Sequence, residues 1–153
     1  MARKGQAAME FLMTYGWAIL VVLVVIGALA YFGVLNPARL LPDKCTATPG
    51  ITCEDYQIST GEVKAKLSNG MGKAMKIDGV SFESTDAECT ADTSGIVDET
   101  WESGKEMTFT ASCSESFTSG GKGKGTFTIK YYTGTNSDFT HEVSVEVAST
   151  VQE

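Results

Sequence analysis

The sequence predicts an α+β chain in which one long hydrophobic helix precedes an antiparallel β-sandwich head. Three observations carry this expectation. Phe11 to Leu35 run without a single charged residue. Beyond Leu41 the composition turns polar and acidic, rich in Gly, Thr and Ser, and holds all four cysteines. From residue 62 onward, apolar side chains recur at every second position, with glycine-bearing turns between the runs.

The uncharged stretch of 25 residues makes a helix of about 37 Å at about 1.5 Å per residue, enough to cross a bilayer with some tilt. No proline interrupts it before Pro37, so a continuous helix from about Ala7 to Leu35 is expected, ended by Asn36-Pro37. Arg3 and Lys4 precede it and should stay cytoplasmic, which places the head outside. Residues 1–42 carry three bases and one acid, against nine bases and 18 acids in residues 43–153. An acidic head argues against nucleic acid as a partner, since phosphates call for a basic face.

Three fates of the helix compete. An ordinary secretory signal would end at Ala28-Leu29-Ala30, but the apolar run is longer than such signals and continues past it. A plain membrane anchor leaves Glu10 beside lipid at a cost of several kcal/mol. The third fate depends on a cut ahead of the helix.

Lys4-Gly5-Gln6-Ala7-Ala8-Met9-Glu10, followed at once by the apolar run, resembles the class III signal peptides of archaeal type IV-like pilins. The resemblance covers about 30 residues, and Ala8 departs from the serine that many members have there. It implies that a prepilin peptidase cuts between Gly5 and Gln6, that the leader 1–5 is lost, and that the helix of residues 6–36 is retained. It further implies an assembly ATPase and a membrane platform as partners, and a subunit that is membrane-bound before it enters a helical homopolymer. An archaellin would share the helix-plus-sandwich plan, but Gln6 as first mature residue points to the pilin branch.

Physical reasoning supports the same roles. A cut there leaves a free amine on Gln6 and a carboxylate on Glu10 one helical turn later, so that in a stack of copies each Glu10 can neutralise a neighbour's amine and fix axial register. If the N-terminal glutamine cyclises, Glu10 turns instead to Thr14 or Tyr15. Lipid is as apolar as a helix bundle, so packing complementarity has to select the partner. Phe11, Leu12, Leu20 and Val24 supply bulk, while Gly16, Ala18, Gly27, Ala28 and Gly33 permit close approach.

Residues 37–44 form a connector, and the head occupies residues 45–153. Cys45, Cys53, Cys89 and Cys113 all lie on the exterior side and show no metal-ligand spacing, so disulfides are expected. Three pairings are open. Cys45–Cys53 as a stapled turn with Cys89–Cys113 between strands is the preferred one, although spacing alone does not decide it. Strands are expected over Glu62–Ser68, Ala74–Glu83 with a bulge at Gly79, Lys105–Cys113, Gly125–Thr133 and Phe139–Val147. Five to seven such strands make a sandwich. The runs KLSNGMGKAMKIDGVSF and WESGKEMTFTAS resemble phrases of the Ig-like heads of archaeal surface filaments.

Other candidate sites weigh less. Gly120–Gly125 lacks the order of a phosphate loop and reads as a hairpin turn. His141 reads as an exposed strand residue, and Asp98, Glu99 and Glu102 as a solvated loop. Trp101, Tyr131 and Tyr132 suit either sugar stacking or packing. No N-x-[ST] sequon occurs. No catalytic group, metal site or cofactor is expected. The reading is a major pilin of an adhesive surface filament, with an archaellin, a minor pilin or a monomeric membrane-anchored binding module as alternatives.

Overall fold

The computed structural model describes residues 3–33, 42–135 and 137–153. The chain divides into two units, Met1–Leu41 and Pro42–Glu153. The first contains one helix, α1, Arg3–Tyr31. It begins four residues before the expected start, so Gly5 and Gln6 are helical. It also ends earlier than expected. Phe32 N donates to Ala28 O at 2.9 Å and Gly33 N to Ala30 O at 3.1 Å, while Gly33 takes φ 68°. A glycine in the left-handed conformation just past the last turn satisfies carbonyls left open there and stops the helix. Apolar character runs on through this point, so hydropathy could not locate it. Gly33, expected among the close-packing positions of the helix, is a terminating residue. Val34, Leu35, the Asn36-Pro37 stop and residues 37–41 of the connector lie outside the described residues.

The second unit is an antiparallel β-sandwich with nine strands among the described residues: β1 (Lys44–Ala47), β2 (Ile51–Ile58), β3 (Glu62–Asn69), β4 (Met75–Glu83), β5 (Cys89–Ala91), β6 (Thr100–Trp101), β7 (Glu106–Cys113), β8 (Lys122–Tyr132) and β9 (His141–Thr150). One sheet runs β1-β9-β8-β4-β6 and the other β2-β3-β7-β5. In an immunoglobulin-type sandwich A-B-E-D faces G-F-C. Here β2-β3-β7-β5 faces β9-β8-β4, with β1 added outside β9 and β6 outside β4. The chain changes sheet at every connection except β2–β3 and β8–β9. Strand alternation sets the core: Val63, Ala65 and Leu67 of β3, Phe109 and Ala111 of β7, Phe127 and Ile129 of β8, and Val143, Val145 and Val147 of β9 are buried. The expected bulge occurs in β4, between Ile77 and Gly79. Ile77 N donates to Glu99 O at 3.1 Å and Ile77 O accepts from Asp98 N at 2.8 Å, so a loop holds the bulged backbone.

The cysteines pair as Cys45–Cys53 and Cys89–Cys113. The second joins directly opposed residues of β5 and β7. The first staples the turn between β1 and β2, as expected, where Ile51 N donates to Thr48 O at 3.1 Å, and in doing so joins one sheet to the other. The glycine run differs from expectation. Only Gly120 and Gly121 turn, and β8 begins at Lys122. A Cβ on Gly125 would lie 2.1 Å from Phe82 Cζ, and one on Gly123 would lie 2.9 Å from Ile58 Cγ2 and 3.1 Å from Val151 Cγ2. These glycines are strand residues whose missing side chains make room for the core. Asn69, at the end of β3, is fully buried. Its Nδ2 donates to Lys73 O at 3.0 Å and Trp101 O at 2.8 Å, and its Oδ1 accepts from Met71 N at 2.9 Å.

Gly125→Ala is expected to destabilise the head by about 1–3 kcal/mol through overpacking. Gly79→Ala, whose Cβ meets nothing within 4 Å, should stay within about 0.5 kcal/mol of wild type, both read by chemical denaturation. Acid should also weaken the head. A hydrogen bond from Lys122 holds the Asp43 carboxyl below the usual range, and one from Lys44, 2.5 Å away, does the same for Glu146. Their folded pKa values lie below the unfolded ones, so their stabilisation is present at neutral pH and is lost as pH falls through about 4 and below. The melting temperature of Asp43→Asn/Glu146→Gln is expected to fall less steeply over that range than that of the wild type.

Candidate assembly surface on the N-terminal helix

Among the described residues, α1 holds the one stretch long and apolar enough to span a membrane, Gly5–Tyr31, with mean hydropathy 2.4. Its large side chains face outward on every side. Phe11, Leu12, Leu20 and Val24 are each more than half exposed, and Tyr31 reaches 87 %. A surface of this kind leaves water for lipid or for protein.

At about 100° per residue, the expected packing positions fall on three faces rather than one stripe. Val24 and Ala28 share a face with Gln6 and Glu10. Phe11 and Ala18 share a second. Leu12, Gly16, Leu20 and Gly27 share a third, on which Gly5 also lies. Gly5, Gly16 and Gly27 recur every 11 residues, each turned by about 20° from the last. Each would have its Cβ in open space, but they lie about 16 Å apart along the axis with the exposed Leu12 and Leu20 between them, so they are separate gaps in that face. Helices surrounded by neighbours use surfaces of this kind, with bulk and gaps distributed around the axis.

Gln6 and Glu10 lie one turn apart, about 6 Å along the axis. Both are exposed. Thr14 Oγ1 donates to the Glu10 backbone carbonyl at 2.9 Å, so its hydroxyl serves the helix rather than the carboxylate. Tyr15 packs its ring on Phe11 with centroids 4.8 Å apart. The Glu10 carboxylate therefore faces outward, where a group from outside the helix can reach it.

The head offers less. Trp101, Tyr131 and Tyr132 are buried, so they give no stacking platform for sugars. Trp101 Nε1 donates to Lys105 O at 2.8 Å and its ring meets Phe109 edge-on. His141 lies exposed at the start of β9, its ring 5.5 Å from that of Tyr131. Asp98, at φ 65°, and Glu99 bond the β4 bulge through their backbones. Among the described residues no group of three or more His, Cys, Asp or Glu is placed to hold a metal ion. Sequence reasoning missed the Asn69 knot and the Asp43 contacts; neither residue carries a pattern that marks it as buried or paired.

In comparison with known proteins, the chain matches no protein-family model and no curated protein. The apolar helix and the two disulfides are compatible with a secreted or membrane-anchored extracellular protein.

Gly16→Leu should leave the helix intact, since leucine favours helix by up to about 1 kcal/mol over glycine. It should weaken self-association of the full chain in detergent micelles, measured by energy transfer between labelled copies. Unchanged transfer would show that Gly16 is at no contact surface.

Proposed function

We propose that this chain is the major structural subunit of an archaeal type IV-like adhesive surface pilus, polymerising through its N-terminal helix. The observation that carries the reading is a helix apolar on all sides whose only acid, Glu10, sits near its start with an outward carboxylate, one turn beyond Gln6. In the precursor the helix lies in the cytoplasmic membrane with the head outside. A prepilin peptidase cuts between Gly5 and Gln6, and the new amine of Gln6 becomes a cationic partner for Glu10 of a neighbouring copy. An assembly ATPase and a membrane platform then move the helix from lipid into a bundle of copies.

Energetics favour register over bulk gain in that transfer. Helix side chains exchange lipid contacts for protein contacts of similar polarity, so shape complementarity along the three faces selects the arrangement. The Glu10–amine pair specifies stagger, because leaving either charge alone in an apolar core costs several kcal/mol. The sandwich heads pave the outside of the filament, kept soluble by their acidic surface. No step in this role is enzymatic, and none draws on a metal or cofactor.

Intact mass and N-terminal sequencing of material sheared from cells test the reading. A start at Gln6, or its cyclised form, is expected. A start at Met1 or Ala2 would indicate a plain anchor, and a start at Tyr31 a secreted domain; either contradicts the proposal. Gly5→Val should abolish the cut.

A further inference from the structure

Strand β1 differs from its neighbours in how little it buries. None of its four residues is fully buried, and Cys45 and Ala47 are only half so. The adjoining β9 already fills the core with Val143, Val145 and Val147. Among the described residues β1 pairs with β9 alone and forms the outer edge of its sheet. A strand with so few buried apolar contacts detaches locally at small cost unless it is tied down.

Three ties hold it. Asp43 Oδ1 accepts from Lys122 Nζ, from Thr150 N at 2.9 Å and from Thr150 Oγ1 at 3.4 Å. Thr48 Oγ1 donates to Ser144 O and accepts from Ser144 N, both at 3.0 Å. Between these polar ends, Cys45 is bonded to Cys53 on β2, the edge strand of the opposite sheet. Cys53 is itself fixed opposite Leu67 in the β2–β3 ladder.

We propose that residues 42–50 form a strap that opens and closes on the β9 edge independently of the rest of the head, with the Cys45–Cys53 bond as its catch. With the bond in place, the strap cannot leave β9 without drawing Cys53 out of the other sheet. With the bond removed, four pairing positions, the Lys44–Glu146 ion pair and the two polar ends remain. An open strap bares the N–H and C=O groups along the β9 edge, which pair readily with a strand of another copy. The catch thus guards the head against edge-to-edge joining in a setting where many copies are concentrated together.

Amide hydrogen exchange on the full chain in detergent micelles tests this, comparing wild type with Cys45→Ser/Cys53→Ser. Residues 44–48 are expected to exchange at least about tenfold faster in the variant, with β3 and β7 unchanged. Adding Asp43→Asn should accelerate them again in that background, but by less than about threefold when the disulfide is intact. Cys89→Ser/Cys113→Ser should leave residues 44–48 protected. Unaltered protection of 44–48 without the bond, or acceleration shared equally by β3 and β7, would overturn the proposal.

Discussion

The apolar surface of α1 constrains everything else about this protein. A helix of 29 residues with large side chains exposed around its whole circumference has no stable state alone in water. Lipid covers such a surface without selecting among partners, whereas copies of the same helix cover it with a defined geometry. The distribution of bulky and small positions over three faces suits the second situation, and in the proposed filament the exposed Glu10 carboxylate would give that geometry an axial reference.

The head needs no such cover. Its core lies between two sheets whose alternating residues meet, with Trp101 and Phe109 among the largest buried side chains. A buried asparagine joins the β3–β4 turn to the backbone at Trp101 through three hydrogen bonds of 2.8–3.0 Å. Its two disulfides differ from the inter-sheet bond between strands B and F in antibody domains. One lies within a sheet, between β5 and β7, and the other closes the seam between two edge strands. Exposed lysine–carboxylate pairs on the sheet faces, such as Lys130 with Glu142 at 3.3 Å, add little stability each and keep the surface polar.

Much of this was legible in the sequence, for identifiable reasons. The helix announced itself by an uncharged run, and β3, β4, β7, β8 and β9 by period-two alternation, because each buries one face only. The bulge at Gly79 was visible as a phase shift. What stayed hidden was either too short for a period or carried by tertiary contact. Strands β5 and β6 have three and two residues. β2 loses its alternation at its own bulge between Cys53 and Asp55. Gly123 and Gly125 look like turn residues in sequence, and only the positions of Ile58, Val151 and Phe82 show that they are strand residues under steric demand. At the assembly surface, the Gly5–Gln6–Glu10 spacing could be read directly, whereas the helix stop at Gly33 depended on backbone conformation.

The claim that copies of α1 cover one another is tested most directly by electron microscopy of surface material sheared from cells, with helical reconstruction of any fibre. The account predicts a filament whose axis is a bundle of α1 helices with Glu10 of one copy against the N-terminus of the next, and sandwich heads outside. A fibre built from head contacts with the helices elsewhere, or single molecules with no fibre, would contradict it.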